Sequence, residues 1–156
     1  MSEKLILLTP HPGWFDFSET PGFKAWGERR LVETADELRF FRRNYLGPDF
    51  PEEKFRQPDV SPLYADLKGL PPALLVVGTE DALLEDTLFM YCRWVSSGNL
   101  ARLGVYPGAA HGVGHFGPHQ HTRQGEQVLQ EIETFYKTHL STAAAPNGSW
   151  YNQLDN

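Results

Sequence analysis

Residues 69–116, GLPPALLVVGTEDALLEDTLFMYCRWVSSGNLARLGVYPGAAHGVGHF, decide the reading of this chain. Ala73 to Val77 is a short unbroken apolar run between Pro71-Pro72 and Gly78, the pattern of a strand buried on both faces. Leu84 to Ser97 is long enough for a helix, and Gly98-Asn99 supplies its stop. Ala101 to Tyr106 reads as a second strand ending in Pro107-Gly108. The order strand, helix, strand predicts two parallel neighbours joined by a crossover, because parallel strands cannot be joined by a tight turn.

That topology puts the carboxyl ends of both strands on one edge of the sheet, where open α/β sheets carry their sites. Asp81 leaves the first strand there and His111 leaves the second. An Asp that fixes one imidazole tautomer, beside a His that moves a proton, makes two thirds of a nucleophile–base–orienter triad. On spacing alone, two loop residues that merely solvate the surface are the commoner case.

The same stretch resembles the C-terminal part of the hormone-sensitive-lipase-like branch of the α/β-hydrolase fold, a group of carboxylesterases and lipases. The resemblance rests on Ser61-Pro62-Leu63, Leu70-Pro71-Pro72, the apolar strand, Glu80-Asp81, Gly98, Val105-Tyr106-Pro107-Gly108 and His111-Gly112. It implies that Asp81 is the triad acid and His111 the general base. It also implies a small-molecule ester as substrate and a cap over the pocket, with no cofactor and no metal.

The third triad member is missing from the pattern. In this fold the nucleophile sits in G-x-S-x-G, ahead of the acid and the base in the chain. The serines before Asp81 are Ser2, Ser18 and Ser61, and none has glycines two residues away on both sides. The HGG oxyanion motif is absent too, since His11 is followed by Pro12-Gly13. Lys4 to Leu8 followed by Thr9-Pro10 looks like the strand after the nucleophile helix. The chain is therefore expected to be a C-terminal portion of the family fold, α/β with about three parallel strands, flanking helices and an incomplete sheet. Without an activated nucleophile and oxyanion donors, it is expected to be inactive alone.

The remaining features bound the alternatives. The 156 residues suit one domain or part of one, and the net charge of −6 argues against a nucleic-acid partner. No stretch reaches transmembrane length and the start lacks a signal-peptide core, so a cytoplasmic location is expected. Cys92 is the only cysteine; no intrachain disulfide can form, and among Met90, Trp94 and Val95 it reads as a packed thiol. Pro10 to Trp26, rich in Pro, Gly and aromatics, reads as an ordered loop whose rings something must cover. Thr34-Ala35-Asp36-Glu37 fits a capping box, opening a helix with Leu38, Phe41, Tyr45 and Leu46 on one face and Gly47-Pro48 as its end. By resemblance, residues 10–60 or so belong to the cap. His121 to Leu140 reads as a terminal helix and 141–156 as a flexible tail, giving a partial hydrolase domain over 4–140.

Two other functions stay open at this point. The unpaired edge of an incomplete sheet would suit a non-catalytic interaction module that self-associates or pairs with a complementary chain. His111, His115, His119 and His121 could form a metal-binding loop, although Gly112, Gly114, Gly117 and Pro118 oppose the helix that would align them.

Overall fold

Pro71 and Pro72 have no N–H to give a ladder, and β1 starts directly after them. It spans Ala73–Glu80 and pairs in parallel with β2, Ala101–Ala110, through the crossover helix α3, Leu84–Ser96. The computed structural model describes residues 13–115 and 121–143. Its other α-helices among the described residues are α1 (Pro21–Ala25), α2 (Ala35–Leu46) and α4 (Arg123–Ala143), with short 3-10 turns at Glu52–Lys54 and Pro62–Tyr64. The fold class is the expected α/β one, with an incomplete parallel sheet; two strands lie among the described residues, and the strand expected near 5–8 lies outside them.

β1 is buried on both faces, as its apolar run requires. Ala73 and Leu75 pack with Leu63, Leu67, Met90 and Trp94, on the side of α3. Leu74 and Val76 pack with Ala109, Val113, Val128 and Phe135, on the side of α4. The period-two alternation of the strand thus sends successive side chains into two helix-covered layers, each buried Leu or Val stabilising by about 1.5–3 kcal/mol.

β2 continues past the turn that Pro107-Gly108 predicted. Gly78 is opposite Tyr106 and Glu80 opposite Ala110, so the ladder bulges and Pro107 sits in the irregularity, where no ladder donor is needed. Gly108, at φ +74°, donates its N–H to Thr79 Oγ1 at 2.9 Å. At Gly78 the chains approach so closely that a Cβ would lie 1.9 Å from the Ala109 carbonyl oxygen.

The aromatic loop is covered, and part of it is helical. Thr20 caps α1 by accepting the Phe23 amide, and Pro21 occupies its first turn, two local signals that outweigh the lack of period. Phe23 and Trp26 are buried with Ala35, Leu38, Ala82 and Leu83. The capping box of α2 forms as its sequence dictates, with Thr34 and Glu37 exchanging side-chain to backbone bonds.

The apolar face expected on α2 is not the one that packs. Ala35 and Leu38 are buried, whereas Phe41, Tyr45 and the adjacent Phe40 are more than half exposed. The inward positions beyond the first turn belong to Arg39 and Arg42. Arg39 forms a bidentate pair with Glu19, Nε and Nη2 each 3.0 Å from a carboxylate oxygen, and Arg42 reaches the same Glu19 at 3.0 Å. The Arg42 guanidinium also lies 4.4 Å from the Phe55 ring centroid and 5.4 Å from that of Trp14. The long stems carry the charge across apolar surface, so arginines do the covering expected of Phe41 and Tyr45.

Two further expectations are corrected. Cys92 is exposed rather than packed: α3 turns Asp86, Thr87, Met90 and Trp94 inward, and Cys92 falls on the opposite side. α4 runs to Ala143, past the expected Leu140. Thr122 starts it, accepting the Gly125 amide on its hydroxyl and the Glu126 amide on its carbonyl. Residues 144–156 of the expected tail lie outside the described residues.

Candidate active site

Asp81 follows the last residue of β1 and His111 the last residue of β2. Parallel pairing therefore places both at the carboxyl edge of the sheet, as the sequence predicts. The Asp81 side chain is fully buried and that of His111 is 17% exposed. His111 Nδ1 lies 3.2 Å from Asp81 Oδ1 and 3.1 Å from Oδ2. Asp81 is held in turn: its Oδ1 accepts the Leu83 amide at 2.8 Å, and its carbonyl accepts the Leu84 amide at 3.2 Å, which opens α3.

The carboxylate has no proton to give, so the hydrogen between the pair belongs to Nδ1. In the neutral ring the lone pair is then on Nε2, the tautomer a general base requires. Burial alone would lower the His111 pKa. The hydrogen bond and charge of Asp81, joined by the charge of Glu33, outweigh burial and raise it above its ordinary value.

Glu33 was not among the residues that sequence reasoning picked out. It precedes the cap of α2, and its Oε1 lies 3.3 Å from His111 Nδ1 with the side chain 20% exposed. Burial, with the charges of Asp81 and Glu37, raises its pKa, opposed by His111. A glutamate beside a capping threonine signals a helix start and nothing about an imidazole more than seventy residues later in the chain.

The serines are occupied elsewhere. Ser61 is fully buried, donating to the Phe55 carbonyl at 2.5 Å and accepting the Phe17 amide at 2.8 Å. Ser18 donates to Asp16 Oδ1 at 2.6 Å and accepts from Arg56. Ser2 and His11 lie outside the described residues, as does His119. His115 is in the turn after His111, its pKa lowered by burial, and His121 is exposed ahead of α4. Among the described residues, no three His, Cys, Asp or Glu side chains are grouped to hold a metal ion. No helix among them is long and apolar enough to cross a membrane.

A family model described as alpha/beta hydrolase fold matches residues 2–115, most of the chain. The chain belongs to the hormone-sensitive-lipase-like α/β-hydrolase family. An acetyl-hydrolase of Streptomyces hygroscopicus is 32% identical over 108 residues, covering 69% of this chain and 34% of the relative. An esterase of Acinetobacter venetianus is 34% identical over 87 residues, covering 56% of this chain and 27% of the relative. Among solved structures, a mutant of the esterase E40 superposes with a TM-score of 0.74 at 28% identity, over 86% of this chain and 43% of that one. A hormone-sensitive lipase from a metagenome library gives 0.73 at 25% identity, over 85% and 44%. This hydrolase-fold chain thus matches about a quarter to a third of the length of these two relatives and under half that of the solved esterases.

Proposed function

We propose that this chain supplies the acid and base of a serine-type carboxylic-ester hydrolase. The observation that carries the proposal is the buried Asp81 carboxylate against His111 Nδ1, at the carboxyl ends of two adjacent parallel strands. In this reading Asp81 orients the ring and stabilises its cationic form. His111 Nε2 takes the proton of a serine hydroxyl as that oxygen attacks the ester carbonyl. It then returns the proton to the departing alcohol, and in the second half-reaction activates water in the same way.

The serine is supplied from outside the residues of this chain. Ser18 and Ser61 are committed to structural hydrogen bonds, and no serine stands in a G-x-S-x-G turn. The substrate class is a small-molecule ester, and the cap-derived segment, roughly 10–60, roofs its site. The 156-residue chain alone is expected to hydrolyse no ester through His111.

Two preparations test this. The purified chain is assayed with a short-chain p-nitrophenyl ester and a fluorophosphonate serine probe; the expected result is no probe labelling and no hydrolysis above that of His111→Ala. The native product is recovered with an antibody to residues 141–156 and its mass and labelling are measured. A G-x-S-x-G segment that takes the probe, in the same polypeptide or a bound companion, is the expected result. Hydrolysis by the chain alone that depends on His111 would overturn the external nucleophile. A native product with neither labelling nor ester hydrolysis would overturn the hydrolase reading.

A further inference from the structure

We propose that Glu33 is a second carboxylate for His111, acting on the ring through its charge while Asp81 takes the Nδ1 proton, so that the segment ahead of α2 sets the proton affinity of the base. The role in ester hydrolysis rests on the function proposed above; the pairing itself does not.

The geometry separates the two acids. Both approach the same nitrogen, Asp81 at 3.1 and 3.2 Å and Glu33 at 3.3 Å. Nδ1 carries one hydrogen, and Asp81 receives it. Glu33 Oε1 is left buried with no hydrogen-bond donor among the described residues. A carboxylate oxygen held this way is poorly placed unless a positive charge faces it, and the His111 imidazolium is that charge. The pair is most favourable when His111 is protonated, the state a general base passes through in the transition state.

The other charged groups nearby are already engaged. Glu37, the other acid acting on Glu33, is held by Thr34 and by Arg30 at 2.9 Å. Glu80, next to Asp81, is paired with Arg29. Glu33 and His111 are therefore coupled, each shifting the proton affinity of the other. Glu33 also belongs to a different part of the chain from Asp81. Asp81 is fixed by β1 and α3, whereas Glu33 is carried by the segment that leads into α2. A shift of that segment would remove one of the two negative charges while the Asp81 bond stays.

NMR titration of the histidine ring protons of the full chain tests this, with His111→Asn assigning the His111 signal among the six histidines. Removing a charge at this distance with Glu33→Gln is expected to lower the His111 pKa by about one unit. Glu33→Asp, which draws the carboxylate back by one methylene, is expected to give a smaller fall, and Glu37→Gln to leave the His111 titration in place. In a hydrolytically competent native product, the acidic limb of the kcat/KM profile is expected to move down by the same amount in Glu33→Gln. An unchanged His111 pKa in both Glu33 variants would overturn the proposal. A shifted titration in a product without ester hydrolysis would leave the pairing standing and reject only the hydrolase reading.

Discussion

Asp86 Oδ1 accepts the backbone amide of Asp16 at 2.8 Å, and both acidic residues are buried. The same oxygen takes the Phe15 amide at 2.9 Å, and Thr20 Oγ1 donates to the other oxygen at 3.4 Å. One carboxylate of α3 thus anchors the loop that leads into α1. Burial raises the Asp86 pKa from 3.8 to about 7, against the lowering effect of those amides.

Because the folded state holds this proton more tightly than the unfolded chain, the contribution of Asp86 to stability is full below pH 3.8 and is lost as pH rises through about 7. The urea midpoint of the wild type is expected to fall between pH 5 and pH 8 relative to that of Asp86→Asn, which keeps the oxygen acceptor and cannot ionise. Asp86→Ala leaves two amides without their acceptor and, relative to Asp86→Asn, is expected to cost about 1–3 kcal/mol at every pH, since neither variant ionises there. Parallel wild-type and Asn curves across this range would refute the assignment.

Glu19 works in the opposite direction. Burial raises its pKa, but Arg39 and Arg42 more than compensate, and it ends below the usual 4.5. Its stabilisation is present above that value and is lost as pH falls through the depressed pKa. Glu19 also holds a left-handed backbone, φ +66°, which costs a non-glycine residue about 1–2 kcal/mol. Glu19→Gly relieves that strain but strands two arginines. It is expected to be destabilising on balance in urea melts at pH 7, and a gain in stability would show that the ion pairs contribute little.

Gly78 and Gly98 separate two reasons for glycine. Gly78→Ala would drive a Cβ into the Ala109 carbonyl, and neither strand backbone can move without losing the bulge that leads to His111. A loss of more than about 3 kcal/mol is expected, beyond ordinary overpacking. Gly98 has open space around it but φ +80°, so Gly98→Ala is expected to cost only about 1–2 kcal/mol. Thermal melts of the two variants rank them, and equal losses would contradict the clash.

Cys92 is expected to react stoichiometrically with a disulfide reagent in the native chain, without denaturant, because it faces outward from α3. Reaction seen only after unfolding would place it back in the core.

The crossover unit was legible because its signals are local: an apolar run, flanking prolines, a glycine stop and an Asp and a His at strand ends. The outward position of Cys92 was misread: its apolar neighbours in sequence suggested packing, whereas Met90 and Trp94 at helical spacing define an inner side that leaves it out. Arg39 and Arg42 were not legible, because a charged side chain turns inward only when a partner such as Glu19 meets it, and that partner is set by tertiary structure. Glu33 and Asp86 escaped for the same reason. Each sits in or beside the first turn of a helix, where an acid is ordinarily explained by the helix dipole alone.

Asp81 and His111 are brought together by β1, α3 and β2, an uninterrupted stretch of chain. The two residues are therefore inherited as one cassette. A break or a fusion on either side of residues 73–111 carries both or neither, and their spacing is preserved as long as the two strands keep their register. In the function proposed above the nucleophile has no such linkage, so the proton-handling half of that chemistry is physically separable from the bond-making half.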